Sequence, residues 1–385
     1  MANYAFALSQ HPVAAHAVGE AAGQILEAFA GEEPDLVVCF VSPHFVGAFD
    51  DVAFALGNLL RPGILIGTTA VAIIGGAHEI EDGPAVSLFA ARLPGARLTP
   101  LSLTVEATPD GHAIAGWPDL DHDPATMLLL TDPFSFPTDG FLRQLGVARP
   151  GLQAIGGAAS AAHGPGGNRL LLDGRVHASG AVGVLIDGVD VRTVVSQGCR
   201  PLGRPYVVTR AERNRVEELA GKSALARLQD CATAASDEDR ELIRNGLHVG
   251  LVVDEHKAEF ERGDFLVRNV VGADPESGAL AVGDEVSVGQ TVQFHVRDAA
   301  AAHEDLHALL AGHDAAEHDA KGALLFTCNG RGRSFFGAPD HDAGMVDALL
   351  GPLPLAGALC AGEIGPVGGR NFVHGFTASL ALFSG

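Results

Sequence analysis

The sequence predicts an α/β protein with two domains built from repeated β-α-β-β units and mixed sheets. The C-terminal half carries an extra β-rich block. Three observations predict this. One strand–loop–helix–strand pattern recurs three times along the 385 residues, glycine and proline punctuate each copy, and the material between the second and third copies includes a β-rich block in which "TVQFHV" alternates with a period of two.

Each copy opens on a short apolar run: "DLVVCFVSP" at 35–43, "ATMLLLTDP" at 125–133 and "GALLFTCNG" at 322–330. Runs of this length without alternation suit strands buried on both faces. A polar loop and a helix follow, in "FDDVAFALGNLL", "PTDGFLRQLG" and "HDAGMVDALLG". Next comes an apolar segment ending in small residues: "GILIGTTAVAIIGG", "LQAIGGAASAA" and "LPLAGALCAGEIG". The closing strands are "GPAVSLFAARL", "SGAVGVLIDG" and "GFTASLALFSG". Ahead of the first copy, "MANYAFALSQHPVAAHAVGEAAGQILEAF" reads as an amphipathic helix. It has no Lys or Arg before its apolar residues, so it does not read as a signal peptide.

Between copies two and three, "VVTRAERNRVEELAGKSALARLQDC" is expected to be helical, with Leu219, Leu225 and Leu228 near one face. "LHVGLVVDE", "GDFLVRNVVGAD" and "GALAVGDEVSVGQTVQFHV" then form the β-rich block, and a helix is expected near 299–311. The domain boundary is placed near residue 222. Residues 1–222 hold copies one and two, and 223–385 hold the β block and copy three.

The formal net charge is −22, from 25 Lys and Arg against 47 Asp and Glu, and there is no basic run. That excludes a duplex-binding footprint and makes an anionic membrane a poor partner. A local arginine pair can still bind a small anion at short range. The five cysteines (Cys39, Cys199, Cys231, Cys328 and Cys360) are scattered and form no CxxC, which suits a reducing compartment. The longest apolar runs fall short of a membrane span. A cytoplasmic, soluble protein is expected.

Several segments are candidate sites. In "LLFTCNGRGR" (324–333), a buried strand ends at Cys328 and passes into Asn329, Gly330, Arg331, Gly332 and Arg333. The glycines open backbone N–H groups to a ligand, and the arginines offer forked donors to a carboxylate or phosphate. The competing reading is a turn whose arginines pair with the protein's own acids. A thiol beside guanidinium groups is more acidic, but no base for a nucleophile is identifiable, and Cys328 reads equally well as a small buried residue. In "CAGEIGPVGG" (360–369), Glu363 either receives a ligand ammonium, as the opposite pole to Arg331, or caps a turn. In "LVRNVV" (266–271), Arg268 and Asn269 interrupt an apolar strand, and an internal acid such as Asp264 is the favoured partner over a ligand. Ser42, His44, Thr68, Thr69 and Asp132 lie at analogous strand ends. "HEDLHALLAGH" holds His303, Glu304 and His307 in HExxH spacing, with His313 beyond. A zinc hydrolase needs that spacing on one helix face. Leu310 stands where the motif's turn-making glycine belongs, and the segment reads first as an ordinary amphipathic helix with Ala302, Leu306, Leu309 and Leu310 as its stripe.

"FVSPHF" with "IGTTA", the stretch 263–298, "LLFTCNGRG" and "AGEIGPVG", taken together and in this order, resemble the FIST sensory domain in both its N-terminal and C-terminal parts. The resemblance covers nearly the whole chain. It implies an intracellular input domain of signal transduction that binds small ligands such as amino acids. Relatives are often fused to kinase, cyclase or chemoreceptor outputs, or to an F-box. No such module is recognised here, so the expectation is a stand-alone sensor of a small metabolite, an amino acid or another carboxylate. It would work without catalysis, cofactor or metal and pass its signal to a downstream protein. The alternative is a hydrolase or transferase, zinc-dependent through the HEDLH helix or thiol-dependent through Cys328.

Overall fold

The computed structural model describes residues 3–109, 111–312 and 320–384. They form two compact units. The first comprises Met1–Val195, Leu306–Val373 and Thr377–Gly385, and the second Ser196–Asp305 with His374–Phe376. The third sequence copy thus groups in space with the first two, and the β-rich block forms the other unit.

The first repeat runs β1 (Tyr4–Ser9), α1 (Ala14–Ala28), β2 (Leu36–Val41), a 3-10 turn, α2 (Phe49–Leu60), β3 (Ile64–Thr69), the hairpin β4 (Ala72–Gly75) and β5 (His78–Ile80), and β6 (Val86–Ala91). The expected N-terminal helix therefore begins only at Ala14, because Tyr4–Ser9 pairs with β6 as an edge strand. The second repeat runs β7 (Arg97–Thr108), β8 (Gly111–Ala115), β9 (Thr126–Thr131), α3 (Thr138–Ala148), β10 (Gln153–Ala158), the hairpin β11 (Leu170–Leu172) and β12 (Arg175–His177), and β13 (Ala181–Asp187). The third repeat opens with β14 (Val191–Gln197).

There the second unit is inserted. It contains β15 (Cys199–Glu212), β16 (Arg215–Leu219), β17 (Lys222–Ser223), α4 (Ala224–Ala234), α5 (Asp237–Asn245), β18 (Leu247–Val252), β19 (Phe265–Asp274), β20 (Ala279–Val282) and β21 (Thr291–Arg297), and leads into α6 (Ala299–Ala311). The strand order is β15-β21-β18-β19-β20-β16-β17, and a further β15–β16 pairing closes six of the strands into an antiparallel ring. The helix expected from residue 207 begins only at Ala224, where Ser223 Oγ accepts the Ala226 N–H. Upstream, pairing with β21 and β16 overrides the helical propensity of the Arg/Glu run, and Val208 and Val216 are buried at strand spacing.

The third repeat then resumes with β22 (Ala320–Cys328), α7 (Arg333–Phe336), α8 (His341–Leu350), β23 (Leu355–Cys360), the hairpin β24 (Glu363–Val367) and β25 (Arg370–His374), and β26 (Thr377–Ser384). The first unit holds three sheets, ordered β1-β6-β2-β3-β11-β12, β25-β24-β10-β9-β13-β7-β8 and β14-β26-β22-β23-β4-β5. The first and third repeats keep four strands in their own sheets and the second keeps five, and each hands its hairpin to another sheet. The first repeat's hairpin lies beside β23, the second's beside β3 and the third's beside β10. The exchange is cyclic.

Alternation along the strands explains the layers. Leu36, Val38 and Phe40 of β2, Leu128 and Leu130 of β9, and Leu324 and Phe326 of β22 all enter one central core. Their neighbours Val37, Cys39 and Val41 face α1 and α2 instead, Met127 and Leu129 face α3, and Leu325 faces α8. The repeats also share one glycine. Gly67, Gly156 and Gly357 stand opposite Cys39, Leu129 and Leu325, and an added Cβ would lie 2.6, 1.9 and 1.9 Å from those residues' carbonyl oxygens. Only glycine fits there.

Candidate functional site

Strand register supplies an internal alignment of the three repeats. Val41, Thr131 and Thr327 face Thr69, Ala158 and Leu359 on one side, and Val86, Ala181 and Ala378 on the other. The next residue in each first strand is Ser42, Asp132 or Cys328. The first two do structural work. Ser42 Oγ accepts the Ala85 N–H at 2.9 Å, while Asp132 accepts from Asn168 Nδ2 at 2.9 Å and from Ser135 Oγ at 2.6 Å. Among the other strand-end candidates, Thr68 and Thr69 bind the Arg169 carbonyl through their hydroxyls.

The third copy departs from the other two at several positions together. Cys328 is directly paired with Cys360, where the other copies have Ala70 and Ala159. Glu363 faces Gly157 across β10–β24, and its counterparts facing Thr68 and Ala358 are Leu170 and Ile73, both core residues. A carboxyl thus occupies an apolar position of the repeat. Glu363 is fully buried. One oxygen accepts the Thr377 N–H at 3.1 Å and the Thr377 hydroxyl at 2.9 Å, while Oε1 has no hydrogen-bond partner. Burial pushes its pKa up to about 8, against the Thr377 bonds, the Arg331 charge and the Cys328 thiol, all of which favour the carboxylate.

Arg331 is also buried, and it gives Nε and Nη2 to the two oxygens of Asp342 at 2.7 and 2.9 Å. The carboxylate partner anticipated for this arginine is therefore present inside the protein. Burial opposes ionisation of Asp342, but the Arg331 and His341 contacts outweigh it and hold the carboxyl well below its usual range. Asp342 further accepts from the Thr327 hydroxyl at 2.8 Å and lies 2.9 Å from His341 Nδ1. The His341 ring stacks on Phe336 with centroids 3.4 Å apart, and Arg331 Cζ is 5.2 Å from the Phe336 centroid. Glu79, from the first repeat's hairpin, caps α8 by accepting the N–H groups of Asp342 and Ala343 at 2.8 and 2.9 Å. Burial first, and then Asp342, raise its pKa to about 7.

Cys328, Arg331 and Glu363 therefore share one electrostatic neighbourhood, with Cys360 in it as well. The rest of the expected loop is divided. Asn329 is exposed and Gly330 half-buried. Gly332 packs against the Glu81 carboxylate, which takes the Arg333 N–H at 2.7 Å, and the Arg333 side chain is exposed. Arg268 and Asn269 belong to the second unit. There Arg268 pairs with Asp284 at 2.9 Å, not with Asp264, which instead holds Lys257. Asp284 lies just past the end of the neighbouring strand β20 and is reached by register, which sequence proximity does not reveal. His303 and His307 are exposed on α6, and His313 lies outside the described residues. Among the described residues no group of three or more His, Cys, Asp or Glu is placed to hold a metal ion. Sequence reasoning missed Cys360, Asp342 and Glu79. A buried arginine after a strand demands an acid, and Asp342 in the first turn of α8 was the signal available.

Comparison with known proteins places this arrangement. The model of the FIST N domain matches residues 35–222, and that of the FIST C domain matches residues 224–366. The chain belongs to the FIST family. FIST domains are sensory domains of signalling proteins. This FIST protein is 44% identical over 380 residues, 98% of both chains, to the uncharacterized protein Rv0628c of Mycobacterium tuberculosis (strain ATCC 25618 / H37Rv). It is 44% identical over 375 residues to the uncharacterized protein Mb0898c of Mycobacterium bovis (strain ATCC BAA-935 / AF2122/97), covering 97% of this chain and 96% of that one. No helix of the FIST protein is long and apolar enough among the described residues to cross a membrane.

Proposed function

We propose that this FIST protein senses a small metabolite without chemically changing it. The site is the end of the third repeat, around Cys328, the Asn329–Arg333 loop and Glu363, and the ligand is an amino acid or another carboxylate. The observation that supports this reading is Glu363. The fold places a carboxyl where its own sister repeats place Leu170 and Ile73, and leaves Oε1 without a partner. A buried acceptor of this kind costs about 1–3 kcal/mol unless something pairs with it. In this reading a ligand hydroxyl pairs with the protonated acid, or a ligand ammonium pairs with it by driving off the proton that Glu363 holds at neutral pH, and the ligand enters past exposed Asn329 and half-buried Gly330. Asp342 already neutralises Arg331, and the N–H groups of Asn329, Arg331 and Arg333 are held by the Cys360 and Cys328 carbonyls and by Glu81, so the ligand's carboxylate is received at the exposed Asn329 end of the loop and not by the arginines. Ligand occupancy is then passed to a downstream signalling protein.

Thermal unfolding against a panel of amino acids and organic acids tests this. A ligand at a hundred times its Kd adds about 2.7 kcal/mol to the native state. The Glu363→Leu variant, which restores the residue type of the sister repeats, is expected to keep its fold and lose the shift. A panel without any shift, or a shift that survives Glu363→Leu, overturns the assignment.

A further inference from the structure

We propose that Cys328 and Cys360 form a covalent modification site, a dithiol that a hydroperoxide oxidises to an internal disulfide. The two residues are directly opposed on the parallel strands β22 and β23. Cys328 follows Leu324 and Phe326 on the face of β22 that enters the central core, and Cys360 follows Ala356 and Ala358 on the same face of β23. Paired strands run about 4.8 Å apart. Disulfides span Cα separations of roughly 4.4–6.8 Å. Bridging therefore needs rotation of the two side chains and a small approach of the strands, to bring the Cβ atoms within about 3.5–4.5 Å.

The sister repeats serve as a built-in control. They hold Ser42 with Ala70 and Asp132 with Ala159 at these two places, and both polar residues are committed to structural hydrogen bonds. The cysteine pair occurs only in the third repeat, where Glu363 and Arg331 have also been introduced. Gly157 completes the arrangement, since a Cβ there would lie 2.3 Å from Cys360 Sγ.

The two thiols are not equivalent. Cys328 ends its strand beside exposed Asn329 and is 7% exposed against 2% for Cys360, so an oxidant meets it first. Cys360 is deeper, and burial holds its thiol protonated. Cys328 is thus the attacking sulfur and Cys360 the resolving one. The Cys328 thiolate attacks one peroxide oxygen and the O–O bond breaks. This gives Cys328 sulfenic acid and an alkoxide, or hydroxide from hydrogen peroxide, which takes up a proton. Glu363 is a nearby acid, still protonated at neutral pH. The Cys360 sulfur then attacks Cys328, the S–O bond breaks, and hydroxide leaves with the Cys360 proton as water. Two thiols and one hydroperoxide become a disulfide, an alcohol (or water) and water. A thiol reductant reverses the change.

This site does not depend on the ligand reading. The test uses the intact folded protein, hydrogen peroxide, alkylation of the remaining thiols and peptide mass analysis. Cys231 is the internal control, because it is 8% exposed against 7% for Cys328. The expected result is an intramolecular Cys328–Cys360 peptide pair lacking two hydrogens, formed at least roughly tenfold faster than any oxidation of Cys231. In Cys360→Ser the reaction should stop at a dimedone-trapped sulfenic acid on Cys328, and in Cys328→Ser Cys360 should stay reduced. Equal oxidation of Cys231 and Cys328, a linkage between molecules, or no Cys328 adduct in folded Cys360→Ser overturns the proposal.

Discussion

Glu363 is a carboxyl whose ionisation the fold resists, and that has a measurable consequence. Its folded pKa is about 8 against a usual 4.5. Between those values the folded protein holds a proton that the unfolded chain has released, so stability falls as pH rises through this window and levels off above it. Glu363→Gln keeps an acceptor for Thr377 and removes the titration. The variant should match the native protein near the bottom of the window and exceed it by up to a few kcal/mol at its top, read from urea midpoints across pH. A constant difference would mean that Glu363 titrates normally. Asp342 behaves oppositely, because its ionised form is the one the structure needs. Asp342→Asn leaves the Arg331 charge buried without its counter-charge and should cost about 3–5 kcal/mol, whereas an apolar replacement of both partners should recover most of the loss. Glu363 was visible in the sequence as an acid in a glycine-rich turn. Its buried, half-satisfied state was not, because that depends on Gly157 lying opposite it on a strand of another repeat.

At the level of the elements, the three first strands were legible because burial on both faces writes a continuous apolar run. Their helices were legible because a single apolar stripe faces the sheet. The cyclic hairpin exchange was not. "TTAVAIIGG" and "AGEIGPVG" read as strands in either arrangement, and nothing local says which sheet receives them. β15 and β16 were misread because a charged run with helical propensity was claimed by strand partners far along the chain. The same long-range logic places Gly157, on β10 of the second repeat, against a thiol of the third. Gly157→Ala would bring a Cβ to 2.3 Å from Cys360 Sγ and 3.0 Å from Cys360 Cβ, so it should destabilise by about 1–3 kcal/mol. Adding Cys360→Ala frees the sulfur's volume and should return part of that loss in a double-mutant cycle read by chemical denaturation. Additive effects would show that the glycine does not exist to seat the thiol.

Across the whole molecule, the two compact units carry opposite pH sensitivities. The second unit buries two imidazoles that face each other across β18 and β21, His248 and His295. Burial, aided by Arg297 at His248 and by the His248 and Arg262 charges at His295, lowers both from 6.5 to about 4. Opposing contacts come from the Gly246 and Gln293 backbone and from Asn269. His248 Nδ1 and His295 Nε2 have no hydrogen-bond partner, so a proton arriving there finds no acceptor. In the unfolded chain both rings charge near 6.5, so between about 6.5 and about 4 the unfolded state binds more protons. Stability contributed by the neutral rings is therefore present above 6.5 and lost as pH falls through 4. The first unit is strained from the other side, by Glu363 at about 8 and Glu79 at about 7. Hydrogen exchange resolved by peptide should show amides of β18 and β21 losing protection first on acidification, and those of β22–β24 losing it first on alkalinisation. His295→Asn retains a donor for the Gln293 carbonyl and removes one titrating ring, so its acid slope should be shallower whatever its absolute stability. If both units lost protection together at each extreme, or the slope were unchanged in the variant, the buried groups would not be what sets the pH limits of this fold.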